Sequence, residues 1–293
     1  MCKCFTWKRI PLAAALLLAF RAAAPADEPK KPESPRIAMC SPLAVAPGTT
    51  AKIILRGWHL DKVTEVRSSQ VGVVIKVLSN GTAAIPAKQD AKQIGDQQIE
   101  LEITTAETFE FTKNDGAADY AQNAVNLTVI APDGESAPHK LLVGGDGELP
   151  VIVDHEPNDG FRQAQQISFP QVIDGQIHAD GNVDVFTFEI EKSATVTVEL
   201  LARSLGSGLD GILSLYDANG TMIANNDDSG DSTDSRLDVE LIPGRYFIAL
   251  QDAHDHGGTA HPYRLVLRFN DKLSARVRNA AYPMSSNLAR CRA

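Results

Sequence analysis

The sequence predicts an all-β protein built from two consecutive β-sandwiches. Apolar residues alternate with polar ones over short runs, and Gly, Pro, Asn or Asp bounds each run, which is the pattern of half-buried strands. No long segment carries the period of an amphipathic helix. The chain has 293 residues, which is enough for two domains that each bury a core of their own.

The N-terminal residues have the composition of a secretory signal. Three basic residues precede the apolar stretch Leu12 to Phe20, and the small residues Ala24 to Ala26 follow it. This order predicts a signal peptide over residues 1–26. The apolar stretch is too short to cross a bilayer, whose hydrocarbon core is about 30 Å thick. We therefore expect a secreted or periplasmic protein with no membrane span.

Two cysteines, Cys40 and Cys291, remain after the predicted signal peptide. They lie near opposite ends of the mature chain, so they make no disulfide framework. A single disulfide that closes the chain and a pair of free thiols are both compatible with this spacing.

The first predicted sandwich covers residues 37–143, after a polar, Pro-rich lead-in over residues 27–36. The polar stretch between Lys88 and Gln98 has room for one helical turn. The alternating apolar residues of its strands are Ile53 and Leu55; Val73, Ile75 and Val77; Ile99, Leu101 and Ile103; and Val125, Leu127 and Val129.

A linker with Gly and Pro, residues 144–153, leads to the second predicted sandwich, residues 154–268. Short, evenly spaced strands with alternating faces indicate two packed antiparallel sheets. Residues 269–293 are basic and lack a strand period, which predicts a disordered tail. The apolar rows of the second sandwich are Phe186, Phe188 and Ile190; Val196, Val198 and Leu200; Leu213 and Leu215; Leu237, Val239 and Leu241; Tyr246, Ile248 and Leu250; and Tyr263, Leu265 and Leu267.

Negative charge is concentrated in the second sandwich. The whole chain has a net charge of −9, and residues 154–268 carry 19 acidic and 7 basic residues, 14 of the acids being Asp. This field disfavours binding to nucleic acid, because phosphates need a basic surface. Asp is typical of turns and of short loops whose oxygens bind cations.

The second sandwich resembles the bacterial pre-peptidase C-terminal domain, a jelly-roll-like sandwich often appended to secreted peptidases. The residues that carry the resemblance, in chain order, are Glu156 to Asp159, Asp180 to Phe188, Leu209-Asp210, Leu215 to Gly220, Asn226 to Asp228, Pro243 to Tyr246 and Tyr263 to Leu265. The first domain is similar to an immunoglobulin-like IPT/TIG domain. That similarity lies in Ser41-Pro42, Pro47 to Thr49 and Arg56 to Leu60.

The resemblance implies a structural Ca²⁺ ion in the second sandwich. In the calcium-binding members of that family, carboxylates of the opening segment and of a following strand share the metal. The matching positions here are Glu156, Asn158, Asp159, Asp180 and Asp184. Ca²⁺ takes six to eight oxygen ligands in irregular geometry, which suits clustered Asp, Glu and Asn.

A second acidic group lies around the predicted hairpin whose turn is Asp217 to Gly220, and it offers further candidate calcium ligands. These secondary candidates are Asp210, Asp227 and Asp228. The neighbouring string Asp217 to Gly220 is better interpreted as a hairpin turn. A solvated loop is the alternative for Asp227 and Asp228.

The histidines near the last strand, His254, His256 and His261, could in principle bind zinc or copper. The following Gly257-Gly258 favours an exposed loop instead.

No catalytic motif emerges from the sequence. It contains no zinc-protease helix, nucleophile elbow or Walker loop. We therefore expect a non-enzymatic binding or accessory protein, with an unknown extracellular protein or glycan as its partner. The alternative function is that of an accessory part or remnant of a secreted peptidase system.

Tyr216 is out of phase with Leu213 and Leu215 and is expected to project outward.

Overall fold

The computed structural model describes residues 33–85, 89–109, 123–144, 149–230 and 232–270. The predicted signal peptide, most of the lead-in, Cys291 and all but the first two residues of the predicted tail lie outside these ranges. Within them, strands dominate and the α-helix is a single turn. No helix in these ranges is long and apolar enough to span a bilayer. The all-β prediction is confirmed.

Nine strands and the one helical turn form the first sandwich. The strands are β1 (Arg36–Ser41), β2 (Ala44–Val45), β3 (Thr50–Trp58), β4 (Glu65–Ser68), β5 (Val73–Thr82), β6 (Gln97–Thr105), β7 (Ala124–Ala131), β8 (Gly134–Glu135) and β9 (His139–Val143). The turn α1 (Ala91–Ile94) begins after Asp90, whose side chain accepts a hydrogen bond from the backbone N–H of Lys92. This turn lies inside the polar stretch where the sequence allowed one.

The strand order identifies the first sandwich as immunoglobulin-like. One sheet has the order β1-β3-β6-β5, and the other has the order β2-β9-β7-β4 with β8 paired to β7. Labelled alphabetically with β1 and β2 as the two halves of the first strand, these are the A-B-E-D and G-F-C sheets of an immunoglobulin domain. The predicted apolar rows line the space between the sheets, with Val73, Ile75 and Val77 partly buried at the β5 edge. Cys40 is buried there and has no disulfide partner among the described residues, which do not include Cys291.

Ten strands form the second sandwich. They are β10 (Val151–Val153), β11 (Gln165–Gln166), β12 (Gln171–Gln176), β13 (Val183–Ile190), β14 (Ala194–Leu201), β15 (Gly211–Asp217), β16 (Met222–Asn226), β17 (Arg236–Leu241), β18 (Gly244–Asp252) and β19 (Pro262–Phe269). One sheet has the order β10-β12-β19-β14-β17, and the other has the order β11-β13-β18-β15-β16. The eight strands from β12 onward divide equally between two sheets in the manner of a jelly roll.

The core of the second sandwich contains the predicted apolar rows, with Val239 only partly buried. On β13, Phe186, Phe188 and Ile190 face this core. Side chains two residues apart on a strand share a face. Asp184 therefore lies on the same face of β13 as Phe186, at the end of the core row.

The predicted linker is shorter in the structure. Val151–Val153 pair in parallel with Val172–Asp174 of β12, so the end of segment 144–153 is the edge strand β10. Gly and Pro around this short apolar run concealed it, because its partner strand lies about twenty residues further along the chain and parallel pairing leaves no hairpin signal. At the other end, β19 extends to Phe269, the first residue of the predicted tail.

Apolar residues of the two sandwiches pack against each other. One small cluster joins Leu43 and Leu142 to Leu205, and another joins Met39 and Ile94 to Ala260. These contacts lie beside the loops that carry the polar residues described next.

Candidate metal centre

The opening segment of the second sandwich is fixed to the sheets by backbone hydrogen bonds. Asp154 directly follows β10, and its N–H continues the ladder by donating to the Asp174 carbonyl oxygen over 2.9 Å. Four residues later, the carbonyl oxygen of Asn158 accepts a 3.0 Å hydrogen bond from the N–H of Val185. The segment therefore runs from one sheet to the other and passes the side chain of Asp184.

Asp184 is a carboxylate at the end of an apolar row. Its side chain is fully buried, and its Oδ2 accepts a 2.7 Å hydrogen bond from the hydroxyl of Tyr263 on β19. Its Oδ1 is buried and has no partner. An ionised carboxylate in this position bears the full cost of desolvation with only one hydrogen bond in return.

Four other polar residues surround this position. The Nδ2 atom of Asn158 donates to Oδ1 of Asp154 over 2.6 Å, and the N–H of Asn158 donates to Oε2 of Glu156 over 3.1 Å. Nδ1 of His178, which follows β12, is 3.0 Å from Oε1 of Glu156. One ligand atom from each of Asp154, Glu156 and His178 lies within 4.8 Å of the other two. We refer to Asp154, Glu156 and Asp184 as the carboxylate cluster.

Burial and nearby negative charge disfavour ionisation of Asp154 and Asp184. Burial, followed by the charge of Asp154, raises the pKa of Asp184 to about 8. Burial, followed by the charge of Glu156, raises the pKa of Asp154. The pKa of Tyr263 is also raised, first by burial and then by the charge of Asp184. Like charges in a low-dielectric site produce these directions, and a bound cation reverses them.

The chemistry of the cluster suits a hard cation. Three of the five buried side-chain nitrogen and oxygen atoms without a partner in the described residues belong to this site: Oδ2 of Asp154, Oδ1 of Asn158 and Oδ1 of Asp184. Each unpartnered buried oxygen costs about 1–3 kcal/mol. Carboxylate and amide oxygens are the donors that Ca²⁺ takes in proteins, so the donor set fits the predicted ion.

Glycine at position 175 gives the cluster its room. A Cβ atom on Gly175 would overlap the ring and hydroxyl of Tyr263 and would lie 2.8 Å from the Cβ of Asp154. The β12 backbone can therefore approach both side chains only without a side chain of its own.

Two first-choice ligands occupy neighbouring positions. Oδ1 of Asp159 accepts a 2.6 Å hydrogen bond from Nδ2 of Asn182, and its charge contributes to the raised pKa of Asp184. Oδ1 of Asp180 accepts a 3.2 Å hydrogen bond from the N–H of Gly257, in the loop before β19. The structure thus places Glu156 and Asn158 beside Asp154, while Asp184 is near enough for the charge of Asp154 to raise its pKa. Asp180 is hydrogen-bonded to a different loop.

The secondary candidates do not come together as a site. The carboxylate of Asp210 lies 3.8 Å from Nη2 of Arg203 and 3.7 Å from Nδ1 of His254. Asp227 and Asp228 are exposed. Within the described ranges, the three do not form a compact group of ligand atoms. Asp217 accepts hydrogen bonds from the N–H groups of Asn219 and Thr221, as expected of a turn.

In the loop that carries His254 and His256, the central carboxylate is that of Asp252, and both of its oxygens already accept backbone hydrogen bonds. Oδ1 of Asp252 accepts from the N–H groups of His254 and His256, and Oδ2 accepts from the N–H of Asp210. The rings of His254 and His256 stack with centroids 5.9 Å apart. His261 is buried and lies 3.2 Å, Nδ1 to Nε2, from Gln89 of the first sandwich.

Sequence reasoning missed two residues of the site and part of an aromatic surface. Asp154 directly follows the concealed strand β10, and the proximity of His178 is a tertiary contact without a local signal. Tyr216 projects outward as expected, but not alone. Phe161 lies over it with ring centroids 5.0 Å apart and over Phe247 with centroids 4.9 Å apart.

The comparisons with known proteins agree with the motif-based resemblance. Residues 182–252, which include Asp184, match the family model of the bacterial pre-peptidase C-terminal domain. A probable subtilase-type serine protease of Deinococcus radiodurans is 26% identical over 226 residues, covering 75% of this chain and 29% of that protein. The chain thus spans less than a third of the length of this relative. The IPT/TIG similarity of the first domain stays a prediction.

Two solved structures are more distant. The pre-peptidase C-terminal domain of a collagenase from Bacillus anthracis is 16% identical, covers 36% of this chain and 94% of its own, and has a TM-score of 0.30. A protein called SGBP-B, from a xyloglucan utilization locus of Bacteroides uniformis, is 9% identical, covers 80% of this chain and 73% of its own, and has a TM-score of 0.23. At these scores neither structure carries an argument about the site.

Proposed function

We propose that this chain is a secreted or periplasmic, non-catalytic protein whose second sandwich is a calcium-stabilised binding or accessory module. One observation carries the proposal: three neighbouring residues of this site, Asp154, Asn158 and Asp184, each keep a buried oxygen atom without a partner. Such atoms are costly in a folded protein unless an ion or another donor satisfies them.

The proposed calcium site is structural. Asp154, Glu156, Asn158 and Asp184 would hold the ion, with Asp159 at its margin. When bound, the ion supplies positive charge that neutralises the three carboxylates. A ligand that binds only the folded protein stabilises it by mass action.

The position of the site suggests what it stabilises. Asp154 and Glu156 belong to the segment that enters the second sandwich, whereas Asp184 and its partner Tyr263 belong to the core. Ligands from both parts would tie the entering segment to the body of the sandwich. We infer that calcium rigidifies the junction between the two sandwiches.

Thermal melting of the full chain tests the calcium proposal. We expect a higher melting temperature in CaCl₂ than in EGTA, and recovery when calcium is added back. A melting temperature that is equal in both conditions would overturn the proposal.

The partner is proposed to be an extracellular protein or glycan. The aromatic group of Phe161, Tyr216 and Phe247 offers an apolar contact surface, with Phe161 43% exposed. Glycan and matrix-protein arrays, probed with wild type and with Tyr216→Ala, test this. Wild-type binding that Tyr216→Ala weakens supports the surface, and equal binding by both proteins contradicts it.

A second candidate follows from the subtilase-type relative. The chain could serve as an accessory part or remnant of a secreted peptidase system, since the relative that it matches is a probable protease about three times longer than the match. Incubation of the purified chain with casein and with peptide substrates tests whether the chain is itself catalytic. We expect no cleavage by the chain alone, and cleavage that persists in repurified protein would contradict the non-catalytic proposal.

A further inference from the structure

A nitrogen donor, Nδ1 of His178, lies beside the proposed calcium ligands, which are all oxygen atoms. The ligand atoms of Asp154, Glu156 and His178 lie within 4.8 Å of one another, and the third of these atoms is an imidazole nitrogen. Calcium takes oxygen ligands, whereas imidazole suits zinc, copper, nickel and iron. The group is therefore a mixed nitrogen and oxygen donor set.

The spacing of the two outer donors fits a small cation. Nδ1 of His178 is 3.0 Å from Oε1 of Glu156. Zinc bonds of about 2.0–2.2 Å in tetrahedral geometry place neighbouring ligand atoms about 3.3–3.6 Å apart. A separation of the two atoms by a few tenths of an ångström more would therefore admit a zinc ion.

Buried oxygen atoms near His178 and Glu156 are a second observation that favours a bound cation. Asn158 and Asp184 are fully buried, and each keeps one side-chain oxygen without a partner. The His178 side chain, in contrast, is 50% exposed. The site therefore has a solvent-facing side with a nitrogen donor and a buried side with oxygen donors only.

We propose that this site also binds a d-block divalent cation, represented by Zn²⁺, through His178 Nδ1 and the carboxylates of Asp154 and Glu156. The inference rests on the metal site of the proposed function, but it adds His178 Nδ1, a donor atom that the calcium proposal does not use. Zinc and calcium would share Asp154 and Glu156, so one ion excludes the other. The relative supply of the two ions then determines which one joins the entering segment to the sandwich.

Titration calorimetry of the full chain with ZnCl₂ and, separately, with CaCl₂ tests the inference. The variant is His178→Asn, whose amide can still donate to Glu156 but offers no imidazole. The matched control is His254→Asn, which removes an exposed histidine that also lies beside a carboxylate, that of Asp210. Competition with saturating calcium separates zinc bound at the site from zinc bound at surface histidines.

We expect His178→Asn to weaken the calcium-sensitive zinc binding by about tenfold or more and to change calcium affinity far less. His254→Asn should leave that binding unchanged. Zinc binding that is equal in wild type and His178→Asn, or zinc that calcium fails to displace although calcium itself binds the protein, would overturn the inference.

The failures of the two proposals are distinguishable. If the protein binds calcium but shows no calcium-sensitive zinc binding, the calcium proposal stands and the zinc inference is wrong. If zinc binds through His178 while calcium does not bind, the inference stands and the calcium proposal is wrong.

Discussion

The hydroxyl of Tyr263 donates a 2.7 Å hydrogen bond to Oδ2 of Asp184, and both side chains are buried at the end of the second core. The bond holds one carboxylate oxygen and leaves Oδ1 without a partner. Tyr263 thus orients Asp184 but does not compensate its charge. The metal-free protein is expected to carry this cost, and a bound cation is expected to remove it.

Asp184→Asn should therefore stabilise the metal-free protein at alkaline pH. The pKa of Asp184 is raised to about 8 in the folded state, so its contribution to stability is complete at acidic pH and is lost as the pH rises through about 8. The amide does not titrate and can still accept the bond from Tyr263. In EGTA, we expect the variant to melt above wild type at pH 8.5 and the difference to shrink at pH 5.

Saturating calcium provides the control for this prediction. The order of the two proteins should reverse at pH 8.5, because only wild type has the full set of charged ligands. A variant that melts below wild type in EGTA at every pH would contradict the proposed cost of the buried carboxylate.

Asp184→Ala should expose the segment between the sandwiches to protease. Without this ligand we expect weaker calcium binding. In the presence of calcium, the variant should be cleaved within residues 144–156 on the order of tenfold faster than wild type, which corresponds to a free energy of local opening lower by about 1.4 kcal/mol. Limited proteolysis with mass spectrometry measures the rate and the site. Wild type in EGTA should resemble the variant, and equal cleavage of both proteins in calcium would count against the prediction.

Gly175→Ala should disturb the proposed calcium site, because the added side chain would displace residues of the site. The added Cβ meets the Tyr263 ring and Asp154, and overpacking of this kind costs about 1–3 kcal/mol. We expect a lower melting temperature and weaker calcium binding. Gly160→Ala is the matched control, because a Cβ there has no neighbour within 4 Å. If the two variants behave alike, the close approach at Gly175 has no role.

Acid should weaken the protein through a second, partly buried group. Burial lowers the pKa of His139 to about 4, and its Nε2 is buried without a partner. It lies against Gly206 of the second sandwich, where an added Cβ would be 3.0 Å from its ring. Since its folded pKa is depressed, stability is complete above the unfolded pKa of about 6.5 and falls as the pH drops toward 4.

His139→Leu tests this acid dependence. Between pH 7.5 and pH 5 in EGTA, the variant should lose less stability than wild type, by on the order of 1–2 kcal/mol. Denaturant unfolding at the two pH values gives the difference, and the contribution of Asp184 cancels because both proteins contain it. An equal loss in both proteins would contradict a His139 that stays neutral in the folded protein.

The sequence predicts the cores well because alternation along each strand is local. Asp184 is selected from the family resemblance, and the structure shows that it continues the row of Phe186 and Phe188, where a charged residue needs an explanation. Asp154 and His178 could not be found this way. They meet only because β10 and the loop after β12 converge through parallel, non-local pairing.

Acidic residues in turns are ambiguous in sequence for a related reason. The same Asp can cap its own turn, pair with a distant arginine or join a metal site. Asp217 caps its turn and Asp210 lies beside Arg203. Only the tertiary structure shows which of the many Asp residues of this domain keep an unpartnered buried oxygen.

Calorimetric titration of CaCl₂ into the full chain tests the central claim most directly, with Asp184→Asn and Asp228→Asn measured beside wild type. We predict calcium binding by wild type, nearly unchanged binding by Asp228→Asn at its exposed position, and a loss of about tenfold or more in affinity for Asp184→Asn. Absence of calcium binding in wild type, or equal affinity in wild type and Asp184→Asn, would contradict a calcium site at the carboxylate cluster.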